Sequence, residues 1–445
     1  MKWAFCKTSI LVLVILSFVI FIIVSLTAHL AHPRLTREEF LYDFDYLVTV
    51  LEENFPSLGI IYNRNGVDLP KIAQRLRSQL TDGSVSIDFV SFWSMLRDDF
   101  FDPAWPVGHL WLVSDAERRW LISEYEGSTT WGAVPHFWPI LNNPPSHPSY
   151  SRLLASTRMR PLPTGANLTT RILEEHIAYL RVNLLPGGTI SPTDRQILIN
   201  FYQSIADFEH LVIDMRGNPG GSQYYFHVNI AAPLITEPLH ARFYHFFKGG
   251  DHTVAFMQTA FASQGRSTVL QAQPVEFSIN EASTIFENEF DLDHINDYLS
   301  RMCYYFVEII SVHPSWADIV SPFNGKIWML IDGGMTSASQ VIASFYKEVG
   351  FATLVGETTA GSVASPWHSN YFTLPNTGII IRYDPTLVLD SRGRPLEYGT
   401  EPHHFNRPGL DALQTVLELI YEGNYLTLTN AAHDVNNTHH IRKIP

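Results

Sequence analysis

A serine that opens a helix directly after a glycine turn presents its hydroxyl beside unpaired backbone N–H groups. The segment LIDGGMTSASQVIASFYKEVG has that pattern. A buried strand ends at Asp332, Gly333 and Gly334 turn the chain, and Thr336-Ser337 opens a helix with an apolar face of Val341, Ile342, Phe345 and Val349. A hydroxyl at that place can act as a nucleophile, because nearby N–H groups favour negative charge developing on a substrate oxygen. The same residues also fit a plain N-cap. A second segment, HLVIDMRGNPGGS, is another buried strand running into glycines. Gly220 and Gly221 allow a backbone that aims N–H groups outward, as half of an oxyanion hole or as an ordinary strand-end turn.

The elements that must hold these turns are strands alternating with helices. HIAYLRV, HLVIDMR, KIWMLID and ATLVG read as strands, and Asp194 to Phe208, Ser337 to Val349 and Asp411 to Tyr421 as helices. Tyr371 to Leu374 and Gly378 to Tyr383 read as a hairpin around Pro375-Asn376. The fold class is therefore α/β. Upstream, Thr36 caps a helical pattern with Phe40, Phe44, Leu47, Val48 and Leu51 on one face, and Pro56 ends it. Leu69 to Leu80 and Ile87 to Phe100 read as two more helices, making residues 36–102 a small helical domain. Pro103 to Leu168, rich in Trp, Pro and Gly, reads as strands and loops. The 222–325 connection is long; it holds HARFYHFFKGGDHTVAF and a helix-like stretch from Ala282 to Val312, and it suits a cleft lining, a lid or a packed excursion. Residues 427–445 read as a flexible polar tail.

Taken together, these segments resemble the serine peptidases that include the tail-specific (C-terminal processing) proteases and the tricorn core. The matches are DMRGNPGG at Asp214 to Gly221, TSASQ at Thr336 to Gln340, GETTAG at Gly356 to Gly361 and LEYGTEP at Leu396 to Pro402. The resemblance implies a crotonase/Clp-protease-like ββα core within residues 103–426. It implies an acyl-enzyme on Ser337, with the N–H groups of Gly220 or Gly221 and of Ala338 holding the oxyanion. The tail-specific branch supplies a lysine 25 residues beyond the serine; here that residue is Ser362, and no lysine occurs from Glu348 to Pro408. The tricorn-like branch instead implies a histidine from before the core. DPAWPVGHLWLV echoes its segment, so His109 is the expected general base. Glu397, in LEYGTEP, is expected to bind and orient a second serine or a substrate amine. Ser362 is either a hydrogen-bond relay or a neutral replacement for the lost lysine. Gln340 stands where the family usually has Glu. The region from Leu110 to Leu168 is short for a PDZ domain, so tail-specific recognition is not implied.

Composition narrows the partners. The 445 residues are 46% hydrophobic and 17% charged, which is a globular composition, and the net charge of -14 disfavours a nucleic-acid partner. Two cysteines, Cys6 and Cys303, support neither a disulfide framework nor a cysteine zinc site. His403-His404 and His439-His440 lack spaced acidic or histidine partners, so no metal or cofactor is expected. Asn167 and Asn436 begin glycosylation patterns, which matter only in a eukaryotic secretory route. Lys2 and Lys7 precede an apolar run, Ile10 to Leu26, at the boundary between a secretory signal and a spanning helix, so residues 1–33 read as a signal or an anchor. The expected protein is an extracytoplasmic serine endopeptidase, membrane-anchored or secreted, with peptide or protein substrates. A catalytically inactive ligand-binding relative, or a hydrolase of non-peptide esters or amides, is the alternative.

Overall fold

Parallel strands bury both faces, so their sequences run apolar without alternation. HLVID and KIWMLI do so, and they form the middle of the main sheet. The computed structural model describes residues 35–84, 86–128, 134–143, 150, 166–174, 176–263, 275–276, 299–363 and 368–423. The expected signal or anchor of residues 1–33 and the polar tail of 427–445 lie outside them. No described helix is long and apolar enough to cross a membrane.

The strands in chain order are β1 (Trp111–Leu112), β2 (Leu168–Glu174), β3 (Ile177–Val182), β4 (His210–Asp214), β5 (Leu239–Phe247), β6 (Val275–Glu276), β7 (Tyr304–Val312), β8 (Lys326–Ile331), β9 (Thr353–Gly356), β10 (Asn370–Thr373), β11 (Ile380–Tyr383), β12 (Thr386–Leu389) and β13 (His404–Phe405). The main sheet has the order β13-β9-β8-β4-β3-β2; its pairs are parallel except β2 with β3. Ligands of parallel sheets collect beyond the carboxyl ends of the strands. Both glycine turns leave the sheet there, from the adjacent strands β4 and β8. A second sheet, β12-β5-β7-β6, and a third, β1-β11-β10, are antiparallel. The hairpin read around Pro375-Asn376 is β10 with β11.

The helical start of the described chain follows its caps. Thr36 and Glu39 form a reciprocal capping box at the head of the Arg37–Asn54 helix, a device worth about 1 kcal/mol. Helices follow at Leu58–Asn65, Leu69–Thr81 and Phe89–Ser94, the last continuing into a π-helical turn at Met95–Phe101. Phe40, Phe44, Leu47 and Phe92 share one hydrophobic cluster with Phe372, Ile381 and Tyr383 of the third sheet. Asp43, fully buried, accepts from the backbone N–H groups of Asn376 (2.8 Å) and Thr377 (2.7 Å) in the hairpin turn.

Two expectations about elements are overturned. Where Pro103 to Leu168 reads as strands and loops, the described part is mostly helical, with helices at Asp115–Tyr125 and Val134–Asn142 and only the two-residue β1. The Trp and Pro content hides a cap: Ser114 Oγ accepts from Glu117 N at 3.1 Å, with Asp115 and Glu117 in the first turn. The end of the helix-like stretch from Ala282 to Val312 is instead β7, which pairs with β5 from end to end. Its YYFVEIISV buries alternate residues over much of its length, and that period of two outweighs local helix propensity.

Candidate active site

The half around Ser337 is built from backbone. Ser337 has φ 58° and ψ -129° and precedes the Ala338–Glu348 helix, with no capping hydrogen bond from its side chain. This backbone is strained for a non-glycine residue, at about 1–3 kcal/mol. The surroundings hold it: Ser337 N–H donates to the carbonyls of Gly361 (3.2 Å) and Ser362 (2.9 Å). The first glycine turn is tied to the same place. Asn218 O accepts from Thr336 N (3.4 Å) and Ser339 Oγ (2.7 Å), and Thr336 Oγ1 donates to Pro219 O at 3.0 Å. Asp332 Oδ1 accepts from Gly217 N (2.7 Å) and Gly334 N (2.9 Å), locking one turn to the other.

Gly220 has φ 98°, and a Cβ there would lie 2.8 Å from Ser337 Cβ and 2.9 Å from Ala338 N. Only glycine allows this approach. Its N–H, however, donates to Asn218 Oδ1 at 2.9 Å, so Gly220 is not a free oxyanion donor. The N–H groups of Gly221 and Ala338 have no acceptor among the described residues.

The half around His109 is built from side chains. His109 is buried, with φ 43°, and its Nδ1 lies 2.5 Å from Asp384 Oδ2. The third sheet brings the pair together: Trp111 pairs with Arg382, Leu112 pairs with Ile381, and Asp384 N–H donates to Gly108 O at 2.8 Å. Asp384 is held from its other side by Ser369, whose Oγ donates to Asp384 Oδ1 at 2.7 Å. Arg382 Nε donates to Ser369 Oγ at 3.0 Å, and Arg382 Nη1 sits 3.5 Å from the buried Glu117. Burial lowers the His109 pKa from its ordinary value; the Asp384 carboxylate opposes this, and the Arg382 charge adds to it. Burial thus favours the neutral imidazole.

Ser362 and Glu397 join the halves. Ser362, at φ 58°, gives its carbonyl to Ser337 N–H, and its Oγ accepts from His109 N at 3.3 Å. Glu397 is buried and accepts from the N–H groups of Gly108 (3.2 Å), Ser362 (3.0 Å) and Val363 (2.8 Å). It is not among the residues lining the cavity. Burial and the nearby Asp384 push its carboxyl up to about 7 against the pull of the three N–H donors. Gln340, also buried, donates from Nε2 to Leu396 O (3.2 Å) and Thr400 Oγ1 (2.9 Å), and accepts from Thr359 Oγ1. It thus braces the loop that carries Glu397.

One cavity of about 1640 Å³ is lined by Ser337, Ala338, Gly220, Gly221, Ser362 and His109. Four of the five non-glycine residues with positive φ among the described residues line it: His109, Ser337, Ser362 and His368. Strain concentrated in this way is a mark of a functional site.

A family model, Peptidase family S41, matches residues 176–404. The chain belongs to peptidase family S41, and it is a serine-type peptidase. No curated protein matches the sequence. Among solved structures, a protein from Parabacteroides merdae is 14% identical, with 86% of this chain and 95% of that one covered at a TM-score of 0.50. Mature CPAF is 16% identical, covering 83% and 92% at a TM-score of 0.50. The photosystem II D1 C-terminal processing protease matches over 56% of this chain and 45% of its own, at 15% identity and a TM-score of 0.30. The matches to the first two show a shared fold, and the family model shows that the motif resemblance was a true kinship.

Sequence reasoning missed three residues of this S41 peptidase: Asp384, Ser369 and Arg382. The only signal for Asp384 is a charged residue between two apolar runs, IIIRY and TLVLD. Nothing in its spacing links it to His109, 275 residues away. Among the described residues, no group of histidine, cysteine and acidic side chains could hold a metal.

Proposed function

We propose that this S41 peptidase cleaves peptide bonds within chains, with Ser337 as nucleophile and His109 as base. The observation that carries the reading is the 2.5 Å contact of His109 Nδ1 with buried Asp384, in a cavity that His109 shares with strained Ser337. With Nδ1–H donated to Asp384, the lone pair of Nε2 is left to take the Ser337 proton. Ser337 Oγ then attacks the scissile carbonyl carbon. The Gly221 and Ala338 N–H groups bind the oxyanion, the donor pair favoured because Gly220 N–H is engaged with Asn218. His109 returns the proton to the leaving amine, and the ester on Ser337 is released by a water that His109 deprotonates.

In this scheme Ser362 and Glu397 are positioning residues rather than groups that touch substrate. Ser362 fixes the backbone of Ser337 and of His109 together, and Glu397 clamps Gly108 and the 362–363 loop. The Gln340 departure supports no loss of activity, since its amide has a bracing role of its own. Residues 36–102 are read as a helical unit serving a catalytic unit of 103–426. The apolar run Ile10 to Leu26 supports export, with the segment either retained as an anchor or removed.

A fluorophosphonate probe tests the nucleophile. Labelling at Ser337 in the purified chain, lost in Ser337→Ala together with peptide hydrolysis, is the expected result. Full hydrolysis by Ser337→Ala would end the reading. An ester-only turnover profile in a mixed peptide and ester panel would favour the non-peptide alternative.

A further inference from the structure

The cavity holds a guanidinium that the chemistry above does not use. Arg64 lies in the last turn of the Leu58–Asn65 helix and is half-buried where it lines the cavity. Its Nη1 donates to Ala360 O at 2.6 Å and to Glu397 O at 2.5 Å. Both hydrogens of Nη1 are thus committed, and they pin the plane of the group. Arg64 Nε and Nη2 have no acceptor among the described residues, and no carboxylate pairs with Arg64 there. The other two cavity arginines differ: Arg97 holds Asp98 at 2.5 Å, and Arg382 faces Glu117. The nearest acid, Glu397, meets Arg64 through its carbonyl, while its carboxylate is taken by three backbone N–H groups.

The place is next to the nucleophile. A Cβ on Gly361 would come within 2.9 Å of Arg64 Nη1, and Gly361 O accepts from Ser337 N. An arginine has five N–H donors in a fixed fork, and the Nε–Nη2 edge is one of its two bidentate faces for a carboxylate. Here that edge is unpaired and its orientation is already fixed, so little rotamer freedom remains to be lost on binding.

We propose that Arg64 is a carboxylate-binding subsite of the cavity and selects substrates bearing an acidic group near the cleaved bond. The carboxylate has two possible sources, an acidic side chain or the free end of the peptide. The inference rests on the cavity being the peptide-binding site, and its test is a binding measurement that does not need catalysis.

Full-length chain carrying Ser337→Ala is titrated with peptides made as matched pairs. One pair differs only in a free or amidated C-terminus; the other, amidated throughout, differs only in Glu or Gln at one scanned position. For one pair, the acid is expected to bind about ten- to hundredfold more tightly than its neutral partner, the range of a charge-assisted bidentate contact. Preference in the first pair assigns the chain end, and preference in the second assigns a side chain. Arg64→Met is expected to abolish the acid-to-neutral ratio, and Arg64→Lys to shrink it severalfold, whatever happens to binding overall. If Arg64→Met does not fold, the Arg64→Lys ratio decides. Equal binding within both pairs, or a ratio unchanged by substitution at Arg64, overturns the proposal. Full hydrolysis by the Ser337→Ala chain with the acid-to-neutral ratio intact would instead count against the catalytic reading alone.

Discussion

The two halves of the site are made differently. The serine half comes from the ends of two adjacent parallel strands, β4 and β8, and is made of backbone groups and glycines. Each of its pieces is one contiguous stretch of sequence. The histidine half comes from the margins of a small antiparallel sheet, where Gly108, Ser369, Arg382 and Asp384 gather around His109 from distant positions. Backbone geometry demands particular residue types in a row, above all glycine, whereas a side-chain pair demands only that two strands meet. The first kind of site therefore leaves a motif and the second leaves almost none.

The contrast can be broken most sharply at Ser337. Ser337→Ala is expected to lower kcat by about 10⁴-fold or more in a peptide assay, with thermal stability little changed, because alanine keeps the Cβ that strains this backbone and the lost hydroxyl makes no capping hydrogen bond. Asp384→Asn should follow, at about 10³–10⁴-fold in kcat, because the imidazole loses the partner that fixes its tautomer. Circular dichroism should show an intact fold in that variant. Retained activity there would mean that the histidine half is structural, and the two halves would no longer form one site.

Gly220→Ala probes the backbone half. Its Cβ would fall 2.8 Å from both Ser337 Cβ and Thr336 O, so a loss of about 10²-fold in kcat is expected, with KM changed little. An active Gly220→Ala enzyme would show that the turn tolerates displacement. Ser369→Ala, one hydrogen bond further from the chemistry, should cost about five- to tenfold in kcat alone.

Glu397 gives the smallest and most pH-specific effect. Its folded carboxyl is raised to about 7, above the ordinary value of 4.5 in an unfolded chain. Its contribution to stability is therefore fully present below about 4.5 and is lost as pH rises through about 7. Glu397→Gln should flatten the fall in melting temperature across that window, and an unchanged slope would discard the shift. Activity should respond in the opposite sense. Protonating Glu397 removes acceptor capacity for one of the Gly108, Ser362 or Val363 N–H groups, so the parent's kcat/KM should fall below about pH 7. In Glu397→Gln, the residual activity should keep only the lower acid limb set by His109, whose pKa burial depresses.

Strands that run apolar, helices that begin at Thr36 or after Ser337, and the turns at Gly220 and Gly333 are all written locally. So are Ser337 itself, Ser362 in place of a lysine, and the family kinship. His109 was reachable only through that kinship, since nineteen histidines offer no periodic or spacing signal to choose among them. The helices after Ser114 and the strand at Tyr304 were misread, because tryptophan-rich or mixed composition masked a cap in one case and a period of two in the other.

What the sequence alone determined is the half whose chemistry resides in backbone conformation, because φ/ψ demands act on neighbouring residues and show in their identity. Tertiary structure alone decided that Asp384 meets His109, that Asn218 accepts from the Gly220 N–H, and that Glu397 clamps backbone behind the cavity. Each is a contact between side chains or N–H groups whose direction depends on how sheets pack. Local propensity carries no record of that packing.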